Sequence, residues 1–371
     1  MTDPSDFEIF LTAPPGLEML LREELVTMGF DTPQAGIGGV TIKGGWADVW
    51  RANLESRCAS RVIARLGEFR VVHLAQLDTL SRRFDWGQTL RPDIPVRVDV
   101  ICKGSRIYHE KAAAQRIATA ITEELGCPID ADAPVRIMAR IDNNLCTLSV
   151  DTSGELLHRR GYKLAIGKAP IRETLAALFL RACDYDGSEP VLDPMCGSGT
   201  FVIEAAQMAA GLAPGGQREF AFEHFRGFDA SAWARLKDSH QARPTDIRVQ
   251  GSDQNANIIV GSRQNAQRAG VAGITNFDVR LVGDIQPPDG PPGLVIVNPP
   301  YGARIGNKAG LRVLYATLGR TLLARFKGWR VGLVTSDTEL AKMTGLPFGP
   351  PGPVVDHGGL GIRLYRTEAL R

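Results

Sequence analysis

Between residues 170 and 335 the chain alternates helical patterns with short runs rich in valine and isoleucine, and this alternation restricts the fold more than any other feature. Apolar spacing predicts helices over 171–183, 200–210, 254–269 and 309–326, and strands over 190–193, 248–252, 277–281, 294–298 and 330–335. Strands separated by helices pair in parallel, because a crossover helix carries the chain back to the same end of the sheet. The expected class is α/β, with a doubly wound sheet. The closing VVDHGGLGIRLYR reads as a last strand near the sheet edge. Ligands of such sheets bind outside the carboxyl ends of the strands, so the residues that follow each strand are the ones to interrogate.

The N-terminal half has a different texture. Strand patterns at 7–12 and 38–45, a helical pattern from Gly16 to Gly29, strands near 69–74 and 95–102, a helix from about 109 to 125 and a hairpin of 135–141 and 145–151 describe an α+β unit. Apolar residues at 46, 49, 50, 54, 58, 62 and 66 predict one long amphipathic helix from Trp46 to Leu66, with Arg51, Arg57, Arg61 and Arg65 on its other face. A chain of 371 residues has room for two domains. Their junction is placed in LLHRRGYKLAIGKAPI (156–171), which holds no acid but sets Arg159, Arg160, Lys163 and Lys168 around Tyr162. Cations flanking an aromatic are a candidate nucleic-acid contact.

Bulk composition neither demands nor excludes such a partner. The apolar fraction of 44%, the charged fraction of 23% and the net charge of +2 are those of an ordinary globular chain. Residues 1–167 contain 20 Lys and Arg against 22 Asp and Glu, so any RNA footprint there must come from clustering. No basic flank leads into an apolar core at the N-terminus and no apolar run reaches about 18 residues, so neither a signal peptide nor a membrane span is expected and a cytoplasmic protein is. Six cysteines (58, 102, 127, 146, 183, 196) form no CxxC pair, which argues against a zinc site and against a disulfide framework; no metal is expected.

VLDPMCGSGTFVIEAA (191–206) reads as a strand, a glycine turn and a helix. Gly197 and Gly199 let backbone N–H groups approach a ligand, with the positive end of the helix behind them. A phosphate-binding P-loop would need Gly-Lys-Ser/Thr, and the lysine is missing. A dinucleotide fingerprint would need a third glycine near 202, where Val202 stands. Asp193, ahead of the glycines, would repel a pyrophosphate and would suit an ammonium, which points to S-adenosylmethionine. Pro194, Cys196, Ser198 and Thr200 complete that loop, with Cys196 expected to pack beside the cofactor. Asp253, in VQGSDQNA, is expected at the end of the second strand, able to take both hydroxyls of a ribose, to cap the next helix, or both. Asp284, in VRLVGDI, is expected to end the third strand and accept the adenine amino group. Asp229 reads as a surface acid in an insertion.

VIVNPPYG (295–302) poses the sharpest chemical question. Proline cannot donate to a ladder and biases its predecessor toward extended geometry, so the strand must stop at Asn298. An exocyclic amine on a nucleobase is a poor nucleophile because its lone pair is delocalised. The side-chain oxygen of Asn298 and the carbonyl of Pro299, accepting its two N–H bonds, would aim that lone pair at a sulfonium methyl. Pro300 stiffens the turn, and the Tyr301 ring can stack on a base swung out of its helix. Attack at a ring carbon would need a cysteine nucleophile here, and the residue after Pro300 is tyrosine.

HRRGYK, KAPIRETLAA, LDPMCGSGTFVIEAA, GSDQNA and NPPYGARI together resemble, in order and spacing, the bacterial 23S ribosomal RNA guanine-N2 methyltransferases of the RlmL type, a class also described as predicted N6-adenine-specific DNA methylases. The similarity covers almost the whole chain. It implies a Rossmann-like class I methyltransferase domain at 161–371 behind an N-terminal α+β module, ferredoxin-like over 1–60 and a THUMP RNA-binding domain over 61–160. By the same resemblance Asp193, Gly197, Gly199, Asp253 and Asp284 would hold S-adenosylmethionine and Asn298 to Tyr301 the target base, while the basic helix and Arg159, Arg160, Tyr162 and Lys163 become candidate RNA contacts. Ribosomal RNA is the favoured partner. Guanine N2 in transfer RNA and adenine N6 in DNA or RNA remain as alternatives, because the motif recognises an amino group rather than a named base.

Overall fold

In the computed structural model, which describes residues 6–164, 170–301 and 308–371, the strands form two seven-stranded sheets. The chain separates into a unit made of residues up to Ala13, Leu25–Leu157 and Arg218–Ser239, and a unit made of Pro14–Glu24, His158–Gln217 and His240–Arg371. No helix among the described residues is long and apolar enough to cross a membrane.

The first sheet contains β1 (Phe7–Thr12), β2 (Gln34–Gly36), β3 (Gly39–Gly44), β4 (Arg61–Arg70), β5 (Val96–Lys103), β6 (Val135–Asp142) and β7 (Leu145–Asp151), in the order β2-β3-β1-β4-β7-β6-β5. Helices α1 (Glu18–Thr27), α2 (Trp46–Glu55), α3 (Leu74–Arg83) and α4 (Glu110–Leu125) connect them. The β6–β7 turn works because Asn143 and Asn144 adopt φ of 50° and 64°, the left-handed pair that a tight hairpin needs.

The long helix expected from Trp46 to Leu66 is not formed. It ends at Ser56, which is extended at ψ 122°, and residues 61–70 become β4, paired with β1 on one side and β7 on the other. The β-branched Val62 and Ile63 fit a central strand, and that pairing overrides the helical spacing. The expected basic face disappears with the helix. Arg51 bonds Glu55 and the Met28 carbonyl, Arg57 is buried, and Arg61 and Arg65 are ion-paired with Asp151 and Glu8. These cations hold the fold together instead of facing a partner.

The second unit holds α5 (Glu173–Ala182), β8 (Val191–Asp193) and α6 (Thr200–Ala209). The helix that follows, α7 (Ala230–Asp238), belongs to the first unit although it lies within the range expected for the C-terminal domain. Trp50 packs on Phe222 and Phe228, with ring centroids 6.0 and 5.6 Å away, and Phe222 meets Trp233 at 5.0 Å. Asp229, read as a surface acid, caps α7 by accepting the Ser231 and Ala232 N–H groups at 2.9 Å each.

The second unit continues with β9 (Val249–Asp253), α8 (Ala256–Arg268), β10 (Thr275–Val279), β11 (Leu294–Val297), α9 (Lys308–Arg325), β12 (Arg330–Thr335), α10 (Thr338–Met343), β13 (Val355–His357) and β14 (Leu360–Arg366). Its sheet order is β10-β9-β8-β11-β12-β14-β13, with β8 to β12 parallel and β14 antiparallel to β12. The chain runs outward one way from β8 and the other way from β11, so the order reverses between these neighbours. A crevice opens at such a switch point, at the carboxyl ends of the strands.

One position shows how tightly this crevice is built. A Cβ on Gly251, in β9, would lie 2.9 Å from Val202, 3.0 Å from Cys196 and 3.0 Å from the Phe277 ring. Gly251→Ala is expected to destabilise the protein by about 1–3 kcal/mol through overpacking, read from the urea midpoint. An unchanged midpoint would contradict the packing described.

Candidate active site

Asp193 ends β8 with 2% of its surface exposed, and its Oδ1 accepts the Met195 N–H at 3.0 Å. Burial pushes its pKa up to about 8, and the charge of Asp253 at the end of β9 pushes in the same direction. The next residues are stitched to β9: Cys196 donates its N–H to the Ser252 carbonyl at 2.9 Å, and the Ser252 hydroxyl reaches the Pro194 carbonyl at 3.4 Å. Gly197 stands at φ +52°, a conformation that favours glycine, and nothing lies within 4 Å of where a Cβ would be, so the space above it is open. Gly199, at φ +81°, instead packs against Phe277 and caps α6.

Two side chains of α8 fix the loop from below. Ser262 donates its hydroxyl to the Gly197 carbonyl at 2.5 Å and Asn265 its amide to the Ser198 carbonyl at 3.0 Å. Both residues are fully buried. They carry a weak signal in the sequence: they share the inward face of α8 with Ile259 and Ala266, and polar residues on an apolar stripe need partners. Ser198 and Thr200 are buried with hydroxyls 3.4 Å apart. Cys196 is buried and its thiol is pushed far up by desolvation, as befits a packing residue.

The two further acids differ from expectation in detail. Asp253 does end its strand, but the helix cap is Asn255, which accepts the Asn257 N–H at 3.0 Å. Asp253 makes its own turn instead, with Oδ1 accepting the Asn255 N–H at 2.9 Å. Asp284 does not end the third strand. β10 stops at Val279, and Asp284 sits exposed in a short 3-10 turn, Val282–Asp284.

β11 delivers the other half. Its four residues are buried, and Asn298 follows with a buried Oδ1 that has no hydrogen-bond partner among the described residues. An acceptor left in this state costs about 1–3 kcal/mol, which a ligand donor would recover. Pro299 is buried; the Pro300 carbonyl is held by the Tyr315 hydroxyl at 3.3 Å, and that hydroxyl also bonds Thr335 Oγ1, at the end of β12, at 3.2 Å. Tyr315 was not singled out in the sequence. It lies on the buried stripe Leu311, Tyr315, Leu318, Leu322 of α9, where a phenol must find a partner. Burial pushes the Tyr301 phenol up to about 12, so that ring is neutral across the physiological range. The rest of the motif, Gly302 to Ile305, lies outside the described residues.

Three of the four junction residues face inward rather than outward. Arg160 is 2% exposed and 3.3 Å from Glu204, Tyr162 is 1% exposed with its hydroxyl 3.5 Å from the same carboxylate, and Lys163 lies 3.3 Å from Glu173 and donates to the Ile171 carbonyl. The arginine and lysine compensate two buried glutamates and pin the connector to α5 and α6, which removes all three from the candidate RNA contacts. Arg159 alone of the four is exposed, and Lys168 lies outside the described residues.

A parallel sheet with its order reversed between β8 and β11, a glycine loop after β8 and an amide left open after β11 define a methyltransferase-type α/β domain. The chain belongs to the RMKL-like methyltransferase family: a family model of that methyltransferase domain matches residues 160–346, and one of the RlmL ferredoxin-like domain matches residues 8–63. The chain is 36% identical over 355 residues to a ribosomal RNA large subunit methyltransferase K/L from Psychromonas ingrahamii, covering 92% of this chain and 47% of that protein. It therefore spans about half the length of such relatives. A putative RNA methyltransferase of Synechocystis is 32% identical and matches over 97% of this chain and 96% of its own. Among solved structures, a putative methyltransferase, SMU.472, complexed with SAH, superposes with a TM-score of 0.87 at 26% identity, over the full length of both chains.

The buried Asp193 carboxyl makes stability depend on pH. The unfolded chain releases this proton near 3.8, the folded one near 8, so between those values the folded state binds more protons and stability falls as pH rises. Asp193→Asn is expected to flatten the melting temperature across that window and to stabilise the ligand-free protein at its upper end. A parallel fall in both proteins would contradict the assignment.

Proposed function

We propose that this chain is an S-adenosylmethionine-dependent methyltransferase acting on the exocyclic N2 amine of guanine in RNA, with 23S ribosomal RNA as substrate and the cytoplasm as its place of work. The observation that carries this reading is the buried Oδ1 of Asn298 at the switch point, which has no partner among the described residues. Family membership and the relatives named for ribosomal RNA support the substrate class.

The residues present fit the cofactor. The desolvated Asp193 carboxyl suits an ammonium, which would draw it into its ionised form. The space above Gly197 admits a ligand against the backbone, and the glycine loop carries the N-terminus of α6 behind it. Asp253, at the end of β9, would take the ribose hydroxyls, and Asp284, past the end of β10, the adenine amine. When bound, the sulfonium supplies an electrophilic methyl group.

Asn298 and Pro299 do the remaining work. Oδ1 and the neighbouring carbonyl accept the two amine N–H bonds, which turns the nitrogen lone pair toward the methyl carbon and fixes the line of attack. Tyr315 keeps the turn in place through the Pro300 carbonyl. Tyr301, neutral and half-buried, offers a ring face to an unstacked base.

The test incubates the purified protein with labelled S-adenosylmethionine and separated ribosomal and transfer RNA from a strain lacking the gene, then identifies the product nucleoside by mass spectrometry. N2-methylguanine in 23S RNA is expected, whereas N6-methyladenine or a transfer RNA product would overturn the base or the substrate. Asn298→Ala is expected to lower methyl transfer about 100-fold with cofactor affinity unchanged. Full activity in that variant would remove the assigned mechanism.

A further inference from the structure

The sequence placed its aromatic-and-cation contact at 159–163, and the structure buries three of those four residues. A second segment of the same composition, Lys103-Gly-Ser-Arg-Ile-Tyr-His-Glu-Lys111, has the opposite surroundings. It leaves the end of β5, the edge strand of the first sheet. Tyr108 is 70% exposed, its ring centroid 4.1 Å from that of His109, and Lys103, Arg106, His109 and Lys111 are exposed as well.

The segment is stiff despite this exposure. Ile107 is buried, and the β6–β7 turn grips the loop from the side: Arg106 donates its N–H to Asn144 Oδ1 at 2.9 Å, Asn144 donates its N–H to Ser105 Oγ at 3.0 Å, and Ser105 Oγ reaches the Ile141 carbonyl at 3.2 Å. Glu110, the one acid in the run, spends Oε1 on the Cys102 N–H at 3.0 Å. Lys103, Arg106 and Lys111 make no ion pair among the described residues. Several other cations of this unit are consumed: Arg65 by Glu8, Arg82 by Asp78, Arg136 by Asp99 and Arg140 by Asp142. The strand register adds Arg70, exposed at the same end and on the same face as Lys103, because Arg70 faces Leu145, Leu145 faces Asp142 and Asp142 faces Lys103.

A stiff loop that holds an aromatic in solvent between uncompensated cations matches single-stranded nucleic acid, whose bases stack on such a ring while phosphates meet the flanking charges. We infer that the loop 103–111, with Arg70 three strands away on the same sheet face, is the surface that grips an unpaired segment of the RNA, the base stacking on Tyr108. The inference rests on the RNA reading above and adds the place where the first unit meets it.

The test is fluorescence anisotropy with full-length protein and a labelled, unstructured RNA oligonucleotide over a series of KCl concentrations. Tyr108→Ala is expected to weaken binding about tenfold and Tyr108→Phe to leave it near wild type. The combined variant Lys103→Ala, Arg106→Ala, Lys111→Ala is expected to lower the slope of log affinity against log salt by about 2, from about 0.7 per lost phosphate contact. S-adenosylmethionine binding by calorimetry should be the same in all variants. Unchanged RNA affinity and salt slope in these variants would overturn the surface, as would wild-type protein that binds no RNA or prefers duplex DNA. Binding lost in the variants while wild type methylates no RNA would uphold the surface and sink the enzymatic reading, so the two fail separately.

Discussion

The reversal of strand order between β8 and β11 is the constraint from which the site follows. Two neighbouring parallel strands send their chains in opposite directions, and the crevice between them cannot be covered by either crossover. Two polar groups stand out there: the Asp193 carboxyl, held protonated by desolvation, and the Asn298 amide oxygen, buried without a donor among the described residues. A sequence under pressure for stability alone would put an apolar side chain at either place. Together they suit two ligands meeting in the crevice, one that brings a cation to Asp193 and one that brings a hydrogen-bond donor to Asn298.

The surroundings keep these groups where the fold puts them. α8 reaches under the glycine loop with Ser262 and Asn265, and α9 reaches under the Pro-Pro turn with Tyr315, so each half of the crevice is braced by one helix. A third brace is electrostatic. Glu173 on α5 and Glu204 on α6 are neutralised by Lys163 and Arg160 of the connector, and loss of either cation would strand a carboxylate in the core.

The sequence made the second unit readable because its strands and helices are local, and period and turn chemistry agree. DPMCGSGT and NPPY were legible because glycine and proline act on their own backbone. What failed depended on distant neighbours. Trp46 to Leu66 has helical spacing throughout, but β1 and β7 recruit its second half into a sheet. HRRGYK reads as a basic surface only until Glu173 and Glu204, buried on α5 and α6, are seen to need those cations. KGSRIYHEK passed unnoticed because nothing in its composition says that it is exposed, and Ser262, Asn265 and Tyr315 because a buried polar residue declares itself only once the inward face of its helix is known.

The most direct test is calorimetric titration with S-adenosylmethionine near pH 7 in two buffers of different ionisation enthalpy. If Asp193 is protonated in the free crevice and meets the ammonium as a carboxylate, binding releases about one proton per site, and the release vanishes in Asp193→Asn. Equal proton counts in the two proteins, with equal affinity, would contradict the claim that this buried acid is what the crevice is built around.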